Sequence, residues 1–451
     1  MAEKVYGIDL GTTNSLIGRG DILYSGLVPS TVNLLTGEVG ENQKENFKEG
    51  VVRSFKRDMS MGLEGKTPIV ASAKVLSELV KRVPEEVKNI IITVPAYFTE
   101  NNRQATKQAA VLANLNVIRI INEPTAAAIN YSKNFKARTL VYDLGGGTFD
   151  ISLIDSRMGK YDVVTTDGNK IGGDDLDYAI REALLGKAGI PVHRLKDEDI
   201  HKLKSMCEKA KHFICNNRAD YTFDLKDLAY TDCDKNCTLT VEEYNIIMKN
   251  VFASTIKKTN RIIQQYLPDD SVYTFLLVGG STRDPFLREW IIEETHKEPV
   301  ELTYDPDKIV AEGAAYCAEL AEKGKLDELI LDIISSPIGI GLLNGTIKTM
   351  IPKNSKLPFS ESKPFTNTNE VEALVVAVYQ GDSRLVDNAD YLGELKYEYG
   401  KIMPPHKGII NVTLTVNIDG LIEVKARQGR RKEETLLLDR KAYTERSNVD
   451  A

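Results

Sequence analysis

The stretch "VYDLGGGTFDIS", residues 141–152, decides the fold. An apolar run ends in Asp143. The chain turns through Gly145, Gly146 and Gly147 to Thr148, and a second apolar run follows at once. Residues 5–18, "VYGIDLGTTNSLIG", repeat the layout: strand, Asp9, Leu10, then Gly11, Thr12, Thr13 and Asn14 leading into another strand. No helix follows either turn, and neither matches G-x-x-x-x-G-K-[ST] or G-x-G-x-x-G. A tight turn of Gly and Thr exposes backbone N–H groups that can cradle phosphate oxygens. Gly is required where a phosphate comes close to the backbone. A carboxylate at the strand end, Asp9 or Asp143, can hold Mg²⁺ through its waters. One such turn is an ordinary strand connection. Two with matched layout predict a duplicated domain whose halves face each other across a nucleotide, one loop on each side of the triphosphate.

Composition bounds the rest. A chain of 451 residues has room for two or three domains. A net charge of −7 gives no support to broad binding of nucleic acid or membrane surface. The amino terminus "MAEKVYGIDL" reads as a strand rather than a signal peptide, and no apolar run reaches membrane-spanning length. Five cysteines, an odd and sparse number, point to a reducing compartment, the cytoplasm. Cys233 and Cys237 in "CDKNC" have no second pair or nearby His to complete a metal site, so a structural loop is expected.

Residues 88–131 read strand, turn, helix, strand, turn, helix. Ile90 to Val94 form a buried strand, Thr99 caps a helix that begins near Glu100, and Pro124 stands in the first turn of the next helix. "LKDEDIHKLKSMCEKAKHFIC" is a helix with Ile200, Leu203, Met206, Ala210 and Phe213 on one face. "YTFLLVGGSTRDPFLREWI" is a strand, a Gly-Gly turn and a helix. Gly324 stops a helix, an apolar stretch between charges spans 326–332, and the pattern beyond is all β. Ile410, Val412, Leu414, Val416 and Ile418 alternate, a two-residue turn at Asp419-Gly420 follows, and Ile422 and Val424 continue the pattern. Several short strands of this kind predict a sandwich.

The motifs "GIDLGTTNS", "VPAYF", "RQATKQAA", "RIINEPTAAA", "DLGGGTFDIS", "GGDDLD", "EKAK" and "VGGSTR" resemble the 70-kDa heat-shock chaperone family, in its order along nearly the whole chain. The resemblance implies an α/β actin-like ATPase domain of two lobes at 1–325. A linker at 326–334, a β-sandwich peptide-binding domain at 335–440 and a tail at 441–451 follow. It implies ATP or ADP with Mg²⁺, and K⁺ as an optional ion. It assigns Lys56 as the catalytic cation, Thr148 a place near the γ-phosphate, and Glu123 a role in orienting water. Pro95, Arg103, Arg119, Asp150 and Asp332 become a relay between domains. Gly173, Glu208, Lys211, His212, Cys215, Gly280, Ser281, Arg283 and Asp307 fall on nucleoside-contact positions. Leu343, Leu374, Val376 and Val378 are peptide-pocket candidates, with sandwich core as the competing reading.

The implied partners are extended apolar peptides and a J-domain co-chaperone, with an exchange factor left open and neither nucleic acid nor membrane involved. The sequence also departs from the family pattern. His212 stands where an Arg is common, and Cys215 where a Ser is common. Residues 28–88 are a shortened subdomain, and Glu328 replaces a leading apolar residue of the linker, which is expected to weaken linker docking or leave a passive tether. No helical lid is expected after the sandwich. Two other classes share paired phosphate loops, a small-molecule kinase and a filament-forming ATPase. Neither uses a linker followed by a β-domain.

Overall fold

The computed structural model describes residues 3–40, 49–61, 67–133, 136–226, 228, 236–268, 272–301, 303–429 and 434–437. Cys233, the end of the expected sandwich at Arg440 and the tail at 441–451 lie outside these residues.

Two sheets are built on the same plan. In the first, of six strands, Val5–Leu10 runs antiparallel to Asn14–Arg19 and parallel to Asn89–Val94, which pairs with Asn116–Asn122. In the second, of five strands, Arg138–Leu144 runs antiparallel to Phe149–Asp155 and parallel to Thr274–Val278. Each central strand therefore ends in an Asp, with a hairpin partner on one side and a parallel strand on the other. Both are buried on both faces, as their near-continuous apolar runs require.

Helices cover these sheets. Thr99 precedes helix Glu100–Leu112 and Pro124 sits at the start of helix Glu123–Ser132, both as expected. Helix Ile309–Glu322 meets Glu123–Ser132 backbone to backbone. A methyl group on Gly313 would stand 2.0 Å from the Ala126 carbonyl oxygen, so only Gly permits this crossing. Helix Asp197–Asn217 forms, but its core face is Leu203, Cys207, Ala210 and Ile214. Phe213, expected inside, is 40% exposed and rests edge-on against Tyr221. The spacing 203, 207, 210, 214 follows the helical period more closely than a stripe ending at 213. Residues 28–88 hold short strands, including the ribbon Thr31–Asn33 with Val51–Arg53, then a 3-10 stretch that carries Lys56 and helix Thr67–Val80.

Gly324 ends helix Ile309–Glu322 with a φ of +66°. The linker then forms a helical turn, Leu326–Leu329, and a strand, Ile330–Leu331. That strand pairs in parallel with Tyr161–Asn169 and becomes the fifth strand of the second sheet. In this structure the linker is a paired strand rather than a free tether. Glu328 does not oppose docking, because it lies exposed in the turn, outside the paired residues.

Two four-stranded antiparallel sheets follow and enclose one core. Ile410, Val412, Leu414 and Val416 are buried in Ile410–Val416, and Ile422 and Val424 in Ile422–Arg427. Ile418 is not part of this strand, and the connection is a five-residue loop, 417–421, rather than a two-residue turn. Asn417 N donates to the Leu421 carbonyl at its base. The longer loop carries Asp419 to the first sheet. Val376 and Val378 are 2% and 0% exposed, facing the core between the sheets, so they are not free to line a peptide pocket. Leu374 packs at the edge of that core, and Leu343 is 84% exposed in a turn. Leu374, Val376 and Val378 share strand Val371–Gln380, and Leu343 lies on a separate turn. No helix among the described residues is long and apolar enough to cross a membrane.

Candidate functional site

The two hairpin loops touch. A methyl group on Gly146 would stand 2.0 Å from Thr13 Oγ1, and one on Gly147 2.6 Å from Thr12 Cγ2. Below and between them opens a cleft of about 410 Å³. Gly11, Thr12, Thr13 and Asn14 line one side, and Gly145, Gly146 and Thr148 the other. Gly147 backs the loop without lining the cleft. Ser30, which sequence reasoning missed, braces the first loop. Its hydroxyl donates to the Gly11 carbonyl at 2.8 Å and meets Ser15 Oγ at 2.9 Å. It sits just after a two-residue strand, where no periodicity announces it.

Charge gathers where the hairpin strands end. Asp9 accepts from the Thr93 hydroxyl at 2.8 Å, and burial, reinforced by the Glu123 charge, pushes its carboxyl up to about 7. Asp143 stands directly across the hairpin from Asp150. Burial and then Glu123 raise both well above the usual carboxylate range, although Tyr97 N donates to Asp150 Oδ1 at 3.0 Å. Lys56 is buried among them at 2% exposure. Its ammonium donates to the Leu10 carbonyl and to Glu123 Oε1, and lies 5.9 Å from the Phe98 ring centroid. Four carboxyl groups share one ammonium in a low-dielectric wall, and the raised affinity of Asp9, Asp143 and Asp150 for protons is the response to a charge that Lys56 alone does not balance. An oxygen-lined site of this kind fits a hard divalent cation. Among the described residues no three His, Cys, Asp or Glu side chains converge to hold a metal directly.

The helical side holds the other candidates. Gly173 N donates to the Gly145 carbonyl at 3.0 Å and Asp174 N to that of Gly146 at 2.7 Å, docking helix Gly173–Ala188 on the second loop. Ser281 Oγ donates to Gly145 O at 2.9 Å. Gly280 and Asp307 line the same wall, and Arg283 donates to Asp307 at 2.8 Å. Glu208, Lys211, His212 and Cys215 come from helix Asp197–Asn217, with Lys211 paired to Asp177 at 2.7 Å. Burial and the nearby Asp284 push the Cys215 thiol up to about 12. Arg57 ties the 3-10 stretch to the start of helix Gly173–Ala188, donating to Asp175 at 3.0 Å and to the Lys170 carbonyl. Neither Arg57 nor Arg53, which lines the cleft, was expected from the sequence.

The expected relay residues form a seam between the first sheet, the linker and the terminal sheets. Pro95 is buried at the turn after Asn89–Val94 and accepts from Phe98 N at 3.1 Å. Arg103 donates to the Phe98 carbonyl, to Asn122 Oδ1 at 2.7 Å and to the Asp419 carbonyl. Asn122 donates to both oxygens of Asp332, at 2.9 and 2.8 Å. Arg119 lies 3.6 Å from Asp419 and 3.8 Å from Asp327, and Asp419 also accepts from Ile120 N at 3.1 Å. Gln380 accepts from Glu100 N at 3.1 Å. Asn122, Asp419 and Gln380 were not foreseen, because their partners are 200 or more residues away and leave no local pattern. Asp150 stands apart, on the cleft side of the Tyr97 turn.

Comparison with known proteins bears on what this site does. Residues 37–450 match a family model described as "Hsp70 protein". The chain is 34% identical to a "Chaperone protein HscA homolog" of Laribacter hongkongensis, over 94% of this chain and 76% of that one. It is 33% identical to the "Chaperone protein DnaK" of Thermotoga neapolitana, over 97% of this chain and 81% of that one. A match of this extent, on a chain whose paired loops meet across one cleft, shows that it belongs to the Hsp70 protein family.

Proposed function

We propose that the chain is an ATP-driven chaperone. Residues 1–325 form an actin-like ATPase of two lobes, 326–334 a docking linker, and 335–440 a β-sandwich that binds extended apolar peptides, with 441–451 a tail. The observation that carries this reading is the pair of Asp-ended hairpins whose Gly and Thr loops meet across the cleft. Family membership supports the peptide-binding half.

In this reading the loop N–H groups, Gly11 to Thr13 and Gly145 to Gly147, hold the phosphates, with the Thr148 hydroxyl beside the γ-phosphate. Asp9 and Asp143 would hold Mg²⁺ through water, which would supply charge neutralisation to the triphosphate. Transfer of a phosphoryl group to water needs positioning and charge stabilisation more than covalent chemistry. Lys56, fixed by Glu123 and the Leu10 carbonyl, supplies the cation for the developing charge. Glu123 orients the water. Gly173, Glu208, Lys211, His212 and Cys215 hold the nucleoside on one side, and Gly280, Ser281, Arg283 and Asp307 on the other. K⁺ is a further ion to test.

The chemistry reaches the seam through one turn. Phe98 lies under Lys56 and offers its carbonyl to Arg103, which holds Asn122 and through it Asp332. Arg119 and Asp332 lie buried in the seam, and a J-domain partner in the cytoplasm would act on them through the docked linker. A kinase or a filament would leave the linker strand and the terminal sheets without a role. The test is single-turnover ATP hydrolysis with and without a J-domain protein and an apolar peptide. Stimulation by both is expected. A rate that responds to a sugar and to neither of these overturns the reading.

A further inference from the structure

Three helices meet at the helical side of the cleft through a short polar chain. Cys215 lies near the end of Asp197–Asn217, Tyr244 in the first turn of Val241–Tyr266, and Asp284 immediately before Pro285–Thr295. All three line the cleft. Asp284 Oδ1 accepts from Phe286 N at 2.9 Å and from Leu287 N, and Oδ2 lies 2.6 Å from Tyr244 Oη. Tyr244 Oη in turn lies 3.3 Å from Cys215 Sγ.

The direction of this chain follows from its end. A carboxylate already receiving two backbone N–H groups is an acceptor, so Tyr244 donates to Asp284. A hydroxyl has one proton. With that proton directed at Asp284, Tyr244 can only accept from Cys215. The thiol has a proton to give, since burial and Asp284 push it up to about 12. Tyr244 is fully buried and Asp284 is 8% exposed, so water has little access to the chain. The S–H therefore points at the fully buried Tyr244 hydroxyl, and the sulfur lone pairs are left for the open part of the cleft, where Cys215 is only partly buried. Sulfur is a weak acceptor. Adenine has ring nitrogens that accept and a 6-amino group that donates.

We infer that Asp284 and Tyr244 are positioning residues that fix the hydrogen-bond polarity of the Cys215 thiol, so that its sulfur accepts the 6-amino group of an adenine base. This rests on the reading that the cleft takes an adenine nucleotide.

Calorimetric titration of the full chain with Mg²⁺ and either ADP or purine riboside diphosphate, which lacks the 6-amino group, tests it. The natural chain should prefer ADP about threefold more than Cys215→Ala does, as a weak hydrogen bond predicts. Asp284→Asn keeps the backbone cap through its amide oxygen, while its NH₂ donates to Tyr244. The chain then reverses and the S–H turns into the cleft. The preference for ADP should fall about threefold to tenfold. That fall should vanish when Cys215→Ala is added, which a merely structural role of Asp284 does not predict. Equal preference in the natural chain and Cys215→Ala overturns the inference, and this comparison decides alone if Asp284→Asn does not fold. Failure of the natural chain to bind either nucleotide overturns the nucleotide reading itself.

Discussion

Lys56 illustrates how much of the site resides in a single side chain. From composition it is one lysine among many. The structure buries it against Glu123, in a wall of carboxylates, where an ammonium is held by ion pairing and hydrogen bonding rather than by solvent. Lys56→Ala is expected to lower single-turnover hydrolysis about 100-fold, in line with loss of one charge-stabilising donor, while ADP affinity changes little. Truncation also leaves Glu123 buried without its partner, at a cost of about 3 kcal/mol or more. Lys56→Met with Glu123→Gln should recover that stability in a thermal melt but not the rate. Parent-rate hydrolysis by Lys56→Ala removes it from the chemistry. Asp9, Asp143 and the Gly and Thr loops were legible in the sequence, because a strand that ends in Asp and turns through glycines is a local pattern. Lys56 and Glu123 were legible only through resemblance to a family. Ser30, Arg53 and Tyr244 were not legible at all, since each reaches the cleft from a distant segment.

Elements were easier to read than their connections. Both hairpins, the Thr99-capped helix and the alternating strand Ile410–Val416 follow from periodicities of 2 and 3.6. The errors arose where tertiary contact overrides local preference. The Asp419 loop is five residues because its carboxylate meets Arg119 and Ile120 N. Val376 and Val378 alternate on the face that the opposite sheet covers. Val376→Ala should destabilise the terminal sheets by about 2 kcal/mol, as core truncations do. Leu374→Ala, at the core's edge, should cost less. Denaturant unfolding followed by a probe in these sheets separates the two, and equal small effects at both sites would argue that Val376 is not core. At the seam, burial raises the Asp332 carboxyl while the Arg103 charge and the Asn122 amide hold it back. Asp332→Asn should weaken docking about fivefold through loss of a charge-assisted bond. Because coupling between sites is reciprocal, ATP-triggered peptide release should weaken by a similar factor. Unchanged release kinetics in stopped flow would show that Asp332 carries no coupling.

At the scale of the whole molecule, the two halves are joined through neighbouring residues of one chain segment. Asn122 holds the linker aspartate, and the next residue, Glu123, holds the buried cleft lysine. In the proposed reading, a shift of the terminal sheets that pulls on Asp332 would reach Asn122, one peptide bond from the Glu123 that holds Lys56. Hydrogen exchange measures the docked population directly. The amides of Ile330 and Leu331 should exchange more slowly with a non-hydrolysable ATP analogue than with ADP, and equal protection in both would uncouple docking from the nucleotide. The linker strand has a further consequence. A sheet that can lose its outermost strand must survive with an open edge, the usual template for aggregation. Here the borrowed pairing spans only Tyr161 with Ile330 and Asp162 with Leu331. Asp162 places a carboxylate on that margin, met by Lys356 while the halves are joined. If they part, the pairing laid bare is two residues long and carries a charge, a short and polar addition to the edge of a nine-residue strand. A chaperone built this way would shed its linker while freeing little new edge for an extended polypeptide to join.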